Sequence, residues 1–303
     1  MKTSSALALT LALAGTASAN PIVRSSKWKR ANLQGLDFEI INLARNLESL
    51  ELNYWNQGLK NFTDDDFNNA GYQGFRQYLE LFRDQEIAHF TVLNEAAGEG
   101  FENCTYTFPV TTPYDLLAVG QVVTTVGEGA FIGGIANLTD SPSRQTGGAI
   151  IGNEARQNSL LRQYLGLDYF NAVNFDTPLT ASQAYSLAAP FLNCPSSNPP
   201  IKFHKIPPLM ANFTSGSTPH SPGDEISIMW DSSSVYLGED VHITFLGDVY
   251  SIPQPLTQNG DGMGTTTLPQ GINGTSILVA TNFEGGGPIP DKQNFAIGYV
   301  VVA

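Results

Sequence analysis

Charge is scarce in this chain. Only 14% of its 303 residues are Asp, Glu, Lys or Arg, against about 25% in an average soluble domain, so solubility leans on Ser, Thr, Asn and Gly. Basic residues are the scarcest: 15 Lys and Arg stand against 28 Asp and Glu, a formal net charge of −13. That balance offers no electrostatic footprint for nucleic acid or for an anionic membrane surface, both of which need clustered Lys and Arg. There are two cysteines, Cys104 and Cys194, and no C-x-x-C pair, which argues against a thiolate metal site. Also absent are G-x-S-x-G, H-E-x-x-H and a G-x-G-x-x-G placed between a strand and a helix, so the familiar nucleophile, zinc-protease and dinucleotide signals are missing. Beyond the N-terminal leader no segment reads as a membrane span, which requires roughly 20 apolar residues. What is present is 42% hydrophobic content, ample for a core, and a length that suits about two domains.

The first residues read as processing signals. Lys2, an apolar stretch from Ala6 to Ala14 and then Ala17-Ser18-Ala19 have the layout of a secretory signal over residues 1–19, cut before Asn20. Residues 20–30 carry Arg24, Lys27, Lys29 and Arg30, and the final dibasic pair is of the kind kexin-type processing enzymes recognise. This segment is a candidate propeptide or, alternatively, a basic arm left in place. Its loss with the leader would leave 10 basic against 28 acidic residues, a net charge of −18. Five N-x-[ST] acceptors, at Asn61, Asn103, Asn137, Asn212 and Asn273, fit a secreted, extracellular or cell-wall chain and mark candidate surface loops. In that oxidising compartment Cys104 and Cys194 most simply pair, two buried free thiols being the alternative.

Patterning divides the chain into an α+β arrangement. Apolar residues recur at helical spacing from Gly35 to about Leu165, and short strand-like runs separated by Gly and Pro fill residues 223–303. Between them, residues 190–222 hold eight prolines, a density that forbids long helices and central strands. The reading is a four-helix bundle over residues 31–189, a Pro-rich connector and a small β-sandwich. Helices are expected at Asp37–Leu59, Gly74–Ala97, Pro113–Ala136 and Gln145–Leu165, and strands around Ile226–Trp230, Val241–Leu246, Ser276–Thr281 and Phe295–Val302.

Each expected helix sets a carboxylate on its apolar stripe. The first runs Ile41, Ala44, Glu48, Glu51, Trp55; the second Phe75, Leu79, Phe82, Glu86, His89, Leu93; the third places Glu128 between Val123 and Phe131; the fourth has Ile150, Glu154, Gln157, Leu161. A lone buried carboxylate costs several kcal/mol unless it is paired, protonated or bound to a metal. Residues three apart on a helix lie about 5 to 6 Å apart, so Glu86 and His89 can approach one ion together. Iron, manganese and zinc all accept such nitrogen and oxygen donors.

The segment Asn42 to Trp55, then Glu86-Ile-Ala-His89, then Glu128, then Glu154-Ala-Arg-Gln157, resembles the secreted ferritin-like domain family, which includes fungal stress-response and plant desiccation-related proteins. The likeness covers roughly residues 36–210. It implies a four-helix ferritin-like fold with a dinuclear metal site whose candidate ligands are Glu48 or Glu51, Glu86, His89, Glu128 and Glu154. Glu51 has a plainer alternative, facing solvent at the edge of the stripe.

The pattern departs from the paired motif at Gln157, where a second His would stand; an amide oxygen is a poor ligand for borderline metals. A single-metal site and a metal-free polar core both follow as alternatives. Tyr54 and Tyr78 stand close to the ligands in sequence, as proton or electron donors or as core packing, and His204, His220 and His242 lack a companion ligand. Gly127, Gly129, Gly133 and Gly134 crowd around Glu128; at about 1 kcal/mol each against Ala in a helix, they imply a spatial need. The β half is a candidate for a cell-wall or cell-surface glycan or protein partner, or simply covers the bundle. Two functions are therefore expected: a secreted metalloprotein with redox or sequestering activity, or a metal-free structural or interaction protein of the cell surface.

Overall fold

The computed structural model describes residues 33–98, 100–170, 175–216, 218–247, 251–285 and 288–302. The expected signal sequence (1–19) and the segment 20–30 lie outside the described residues. The helical half comprises α1 (Gly35–Asn61), a short α2 (Asp64–Asn69), α3 (Phe75–Ala97), α4 (Pro113–Ile135) and α5 (Ser141–Tyr164). Caps set several of these starts. Thr63 and Thr112 each accept a hydrogen bond from the backbone N–H three residues on, at Asp66 and Asp115, whose carboxylates accept from the threonine N–H in return. Asp140 accepts from Ser143 N–H at 2.8 Å and Pro142 fits the first turn, so α5 begins four residues before the expected Gln145.

α4 corrects one expectation. At 23 residues it is long and apolar enough to cross a membrane, but 67% of its apolar window is buried inside the protein, so it is the bundle's core helix.

α1 packs chiefly on α3, and α4 on α5, but α1 is covered on its remaining side as well. Every residue from Ile40 to Glu51 is buried, whereas a helix on the rim of a bundle keeps a polar face in water. The cover comes from the connector. Asn42 Nδ2 donates to the carbonyls of Pro199 and Pro200 at 3.3 and 3.4 Å. Arg45 donates to Asn42 Oδ1 at 2.6 Å and to Gly98 O at 3.2 Å, and its guanidinium lies 4.7 Å from the centre of the Phe101 ring. A two-stranded ribbon of β1 (Thr105–Tyr106) and β2 (Leu192–Asn193) crosses nearby. Its Tyr106 hydroxyl shares a hydrogen bond with Ser49 Oγ at 2.7 Å. Cys104 and Cys194 flank the ribbon and are joined in a disulfide.

The segment leading into α6 (Ala181–Ala188) lies directly against α4. A Cβ at Gly133 would overlap the backbone of Leu179, and Leu179 N–H donates to Gly129 O at 2.9 Å. Two of the α4 glycines therefore admit a neighbouring backbone, which meets the spatial need inferred from their helix cost.

Beyond α6 the chain forms β3 (Leu209–Phe213), β4 (Glu225–Trp230), β5 (His242–Leu246), β6 (Ile252–Pro255), β7 (Thr257–Gly260), β8 (Met263–Thr267), β9 (Gly274–Thr281) and β10 (Ala296–Val302). They make two antiparallel four-stranded sheets, ordered β3-β4-β8-β7 and β10-β9-β5-β6. Ile226, Ile228, Ile243, Phe245, Leu278 and Val300 fill the space between them. β3 falls inside the Pro-rich stretch. It is an edge strand, paired to β4 alone, the place in a sheet where neighbouring prolines are tolerated. The two halves share a core: Ile277, Val279, Ile297 and Leu246 of one sheet belong to the same buried cluster as Trp55, Leu117 and Leu161.

All five N-x-[ST] asparagines are exposed; Asn61 ends α1 and Asn212 lies within β3, rather than in loops. Replacing both cysteines with serine is expected to lower stability by about 2 to 4 kcal/mol. Guanidinium unfolding measures this, and an unchanged midpoint would mean the bond carries no stability.

Candidate metal centre

Three helices bring four of the six expected ligands together. Glu48 from α1, Glu86 and His89 from α3 and Glu154 from α5 each offer a ligand atom, all within 4.8 Å of one another and all buried. The imidazole lies at the centre: His89 Nδ1 is 2.9 Å from Glu86 Oε2, 3.3 Å from Glu48 Oε2 and 3.5 Å from Glu154 Oε1. Its other nitrogen, Nε2, meets the Asn153 side-chain amide at 3.2 Å, an orienting contact of the kind metal-ligating histidines use. Asn153 was not among the expected residues, although it sits one turn before Gln157 on the same face of α5.

Gln157 does not mimic a second histidine. Its Nε2 donates to Glu86 Oε1 at 2.5 Å and to Gln85 Oε1 at 3.1 Å, so it fixes one ligand carboxylate and leaves the other Glu86 oxygen beside His89. Glu51 is 2% exposed, which removes the solvent-facing alternative. Its carboxylate fills the room left by Gly127: a Cβ there would overlap Glu51 Oε1 and lie 3.7 Å from Glu154 Oε2. Glu51 thus stands next to the four-residue group without belonging to it. Glu128 stands apart, 5% exposed, with Oε2 accepting from Asn158 Nδ2 at 3.0 Å. The Tyr54 hydroxyl donates to Leu116 O at 2.6 Å within an aromatic cluster with Trp55 and Phe108, which makes it core packing. His220 stacks on Phe213, far from the bundle in sequence and in sheet.

Comparison with known proteins agrees with this geometry. Residues 36–167 match the family model of the ferritin-like domain. The helical half of the chain is ferritin-like. The chain is also similar to Protein rds1 of Schizosaccharomyces pombe, with 26% identity over 296 residues that span 80% of this chain and 73% of that protein. The β half, beyond residue 167, lies outside the matched ferritin-like domain.

Within the helical half, the carboxylates are buried in surroundings that disfavour their charge. Burial pushes Glu48 and Glu51 well above the ordinary carboxylate range, and Glu51 is pushed further by the neighbouring Glu154. Burial raises Glu154 to about 7, helped by Glu86, and raises Glu128 to about 7 against the hydrogen bond from Asn158. Glu86 is the exception: burial opposes its charge, but hydrogen bonds from His89 and Gln157 hold it below the usual value. Burial also opposes a charged His89, yet the surrounding carboxylates raise its affinity for a proton strongly.

Residues whose folded pKa is raised bind more protons in the folded protein than in the unfolded chain. Their stabilisation is complete below the unfolded value and is lost as pH climbs through the folded one. For Glu128 and Glu154 that window runs from the ordinary 4.5 to about 7, and His89 acts in the same direction above 6.5. Glu86 acts oppositely, but below 4.5. The metal-free protein is therefore expected to become less stable as pH rises from 5 to 8, by about 1.4 kcal/mol per pH unit for each of Glu128 and Glu154 until it titrates. Denaturant titrations in a chelating buffer measure it; rising stability across that range would contradict the assignment.

Proposed function

We propose that the chain is a secreted ferritin-like metalloprotein that binds a transition metal through Glu48, Glu86, His89 and Glu154. One observation carries the reading: both oxygens of Glu48 and both of Glu154 are buried and none makes a well-formed hydrogen bond, although one oxygen of each lies 3.3 to 3.5 Å from the His89 imidazole on which the group converges. Buried oxygens in native proteins are normally satisfied, and a cation held by the group would take one oxygen from each of these two carboxylates. The donor set of three carboxylates and one imidazole fits iron or manganese and also accepts zinc. A bound redox metal would supply reactivity toward oxygen or peroxide.

The chain's own residues supply the rest. Gln157 keeps one Glu86 oxygen turned away, Asn153 steadies the imidazole, and Gly127 leaves the space that the Glu51 carboxylate occupies near Glu154. Complete burial excludes bulk water and strengthens every charge interaction inside. The Cys104–Cys194 disulfide supports an extracellular setting, and the resemblance to stress-response proteins supports a stress-related role.

A second reading has its own support. The second imidazole of the paired motif is replaced by Gln157, whose amide hydrogen-bonds Glu86, and His89 is ion-paired with Glu86 at 2.9 Å. Such contacts suit a metal-free polar core in a structural protein of the cell surface. Elemental analysis of the secreted protein after refeeding with iron, manganese and zinc separates the two. Bound metal is expected in the wild type and is expected to be lost from the Glu86→Gln/His89→Gln variant, with helical circular dichroism retained. Absence of all three metals from the refed wild type would exclude the first reading. Replacing Gln157 with Leu is expected to weaken metal binding about 10- to 100-fold, the usual effect of removing a partner that orients a ligand.

A further inference from the structure

Methionine is rare in this chain, 4 residues in 303, and all but Met1 stand in one row across a sheet. Met210 of β3 is paired with Met229 of β4, and Met229 with Met263 of β8. Directly opposed residues of antiparallel strands point to the same face, with Cβ atoms about 4.5 to 5.5 Å apart. Their neighbours along the strands show which face this is. Leu209, Ile228, Trp230 and Gly264 are buried, whereas Met210 and Met263 are 58% and 52% exposed and Met229 is half-buried between them. The three thioethers therefore share the outer face of the β3-β4-β8-β7 sheet.

The register that aligns them is pinned beside the row. Trp230 N–H donates to Gly262 O at 2.9 Å, and Gly262, at φ +73°, takes a left-handed conformation in which a Cβ would overlap Trp230 O. Met263 thus follows a turn tied to the residue after Met229. Beyond Met263 the row ends at Gly260, which has no side chain to cover it. The next row along the strands is Asn212, Ser227 and Thr265, polar throughout. A single line of methionines bordered by polar residues does not make the contiguous patch of a few hundred Å² that marks a protein partner.

We propose that Met210, Met229 and Met263 form a binding site for Cu(I) on this face. Thioether sulfur is a soft, uncharged ligand that selects Cu(I) over the harder ions suited to carboxylate and imidazole. The unbranched side chain, with its three rotatable bonds, lets the outer two sulfurs lean toward the middle one across strands about 4.8 Å apart. No Glu, His or Cys stands in the row. Asp231 and Asp261 lie exposed at its end. Both Asp231 oxygens accept from Ser233 and Ser234, which keeps that carboxylate in its own turn, while the two negative charges favour a cation nearby. The site differs in chemistry from the carboxylate group of the bundle and stands whether or not the bundle holds metal.

The test uses the full chain with isotope-labelled methionine methyl groups, whose NMR signals are followed as Ag(I), an air-stable soft monovalent ion, or Cu(I), kept reduced by ascorbate, is added. Single substitutions Met210→Leu, Met229→Leu and Met263→Leu assign the signals. All three are expected to shift together and to saturate at one ion per chain, and Zn(II) is expected to leave them in place. Met229→Leu keeps the apolar volume, so its thermal midpoint and the metal content of the bundle are expected to be unchanged. Its affinity for Ag(I) and Cu(I) is expected to fall by about tenfold or more. Methyl signals that do not respond to either ion, that titrate one by one, or that move equally with Zn(II) would overturn the proposal. So would Met210 and Met263 signals that saturate just as readily in the folded Met229→Leu protein.

Discussion

Burying carboxylates is the constraint around which this molecule is arranged. Glu48, Glu51, Glu86, Glu128 and Glu154 all lie inside the bundle, with the His89 imidazole against Glu48, Glu86 and Glu154 and the Arg162 guanidinium the positive charge acting on Glu128. Each ionised carboxylate away from water carries a desolvation penalty of several kcal/mol, so the interior must offer compensation or keep protons. Both devices are visible. Hydrogen bonds from Gln157 and His89 keep Glu86 charged, while burial favours the protonated forms of its neighbours. A cation entering the group would replace those protons, and this exchange links occupancy to pH.

Keeping water away from that group is the work of the parts that are not bundle. α1 is enclosed by the connector and the disulfide-flanked ribbon, and α4 by the segment at Leu179 and by α6. The β sheets add Ile277, Val279 and Ile297 to the same buried cluster. The β half therefore contributes to the bundle's interior rather than being carried beside it, while its own intersheet core is separate.

Much of this was legible in the chain. Glu48, Glu86, His89 and Glu154 stood on apolar stripes at helical spacing, and that periodicity is enough to point side chains inward. The distribution of roles among those inward residues was not legible. Glu128 obeys the same periodicity, but the rotation of α4 turns it toward Asn158 and gives the site a glycine at 127 instead. Glu51 looked like an edge position because a stripe says nothing about what covers the far side of the helix. For Glu51 that cover is α4, where Gly127 leaves room for its carboxylate. Short elements such as α2, α6 and β3 are too brief for periodicity to register, though the Thr-x-x-Asp and Thr-x-x-Gln boxes at Thr63 and Thr180 mark two of them.

The enclosure of α1 has a kinetic side. Asn42 reaches its carbonyl partners across a sequence separation of 157 and 158 residues, and Cys104 and Cys194 are 90 apart. Local helical contacts form early and such distant ones late, because the loop they close must first be ordered. As the chain emerges during synthesis, α1 spends the time until residue 200 appears with one face bare, its asparagines and Arg45 still in water. The ligand-bearing interior is sealed only when the connector arrives, so the bundle excised at residue 167 would be an open vessel rather than a smaller version of the same protein.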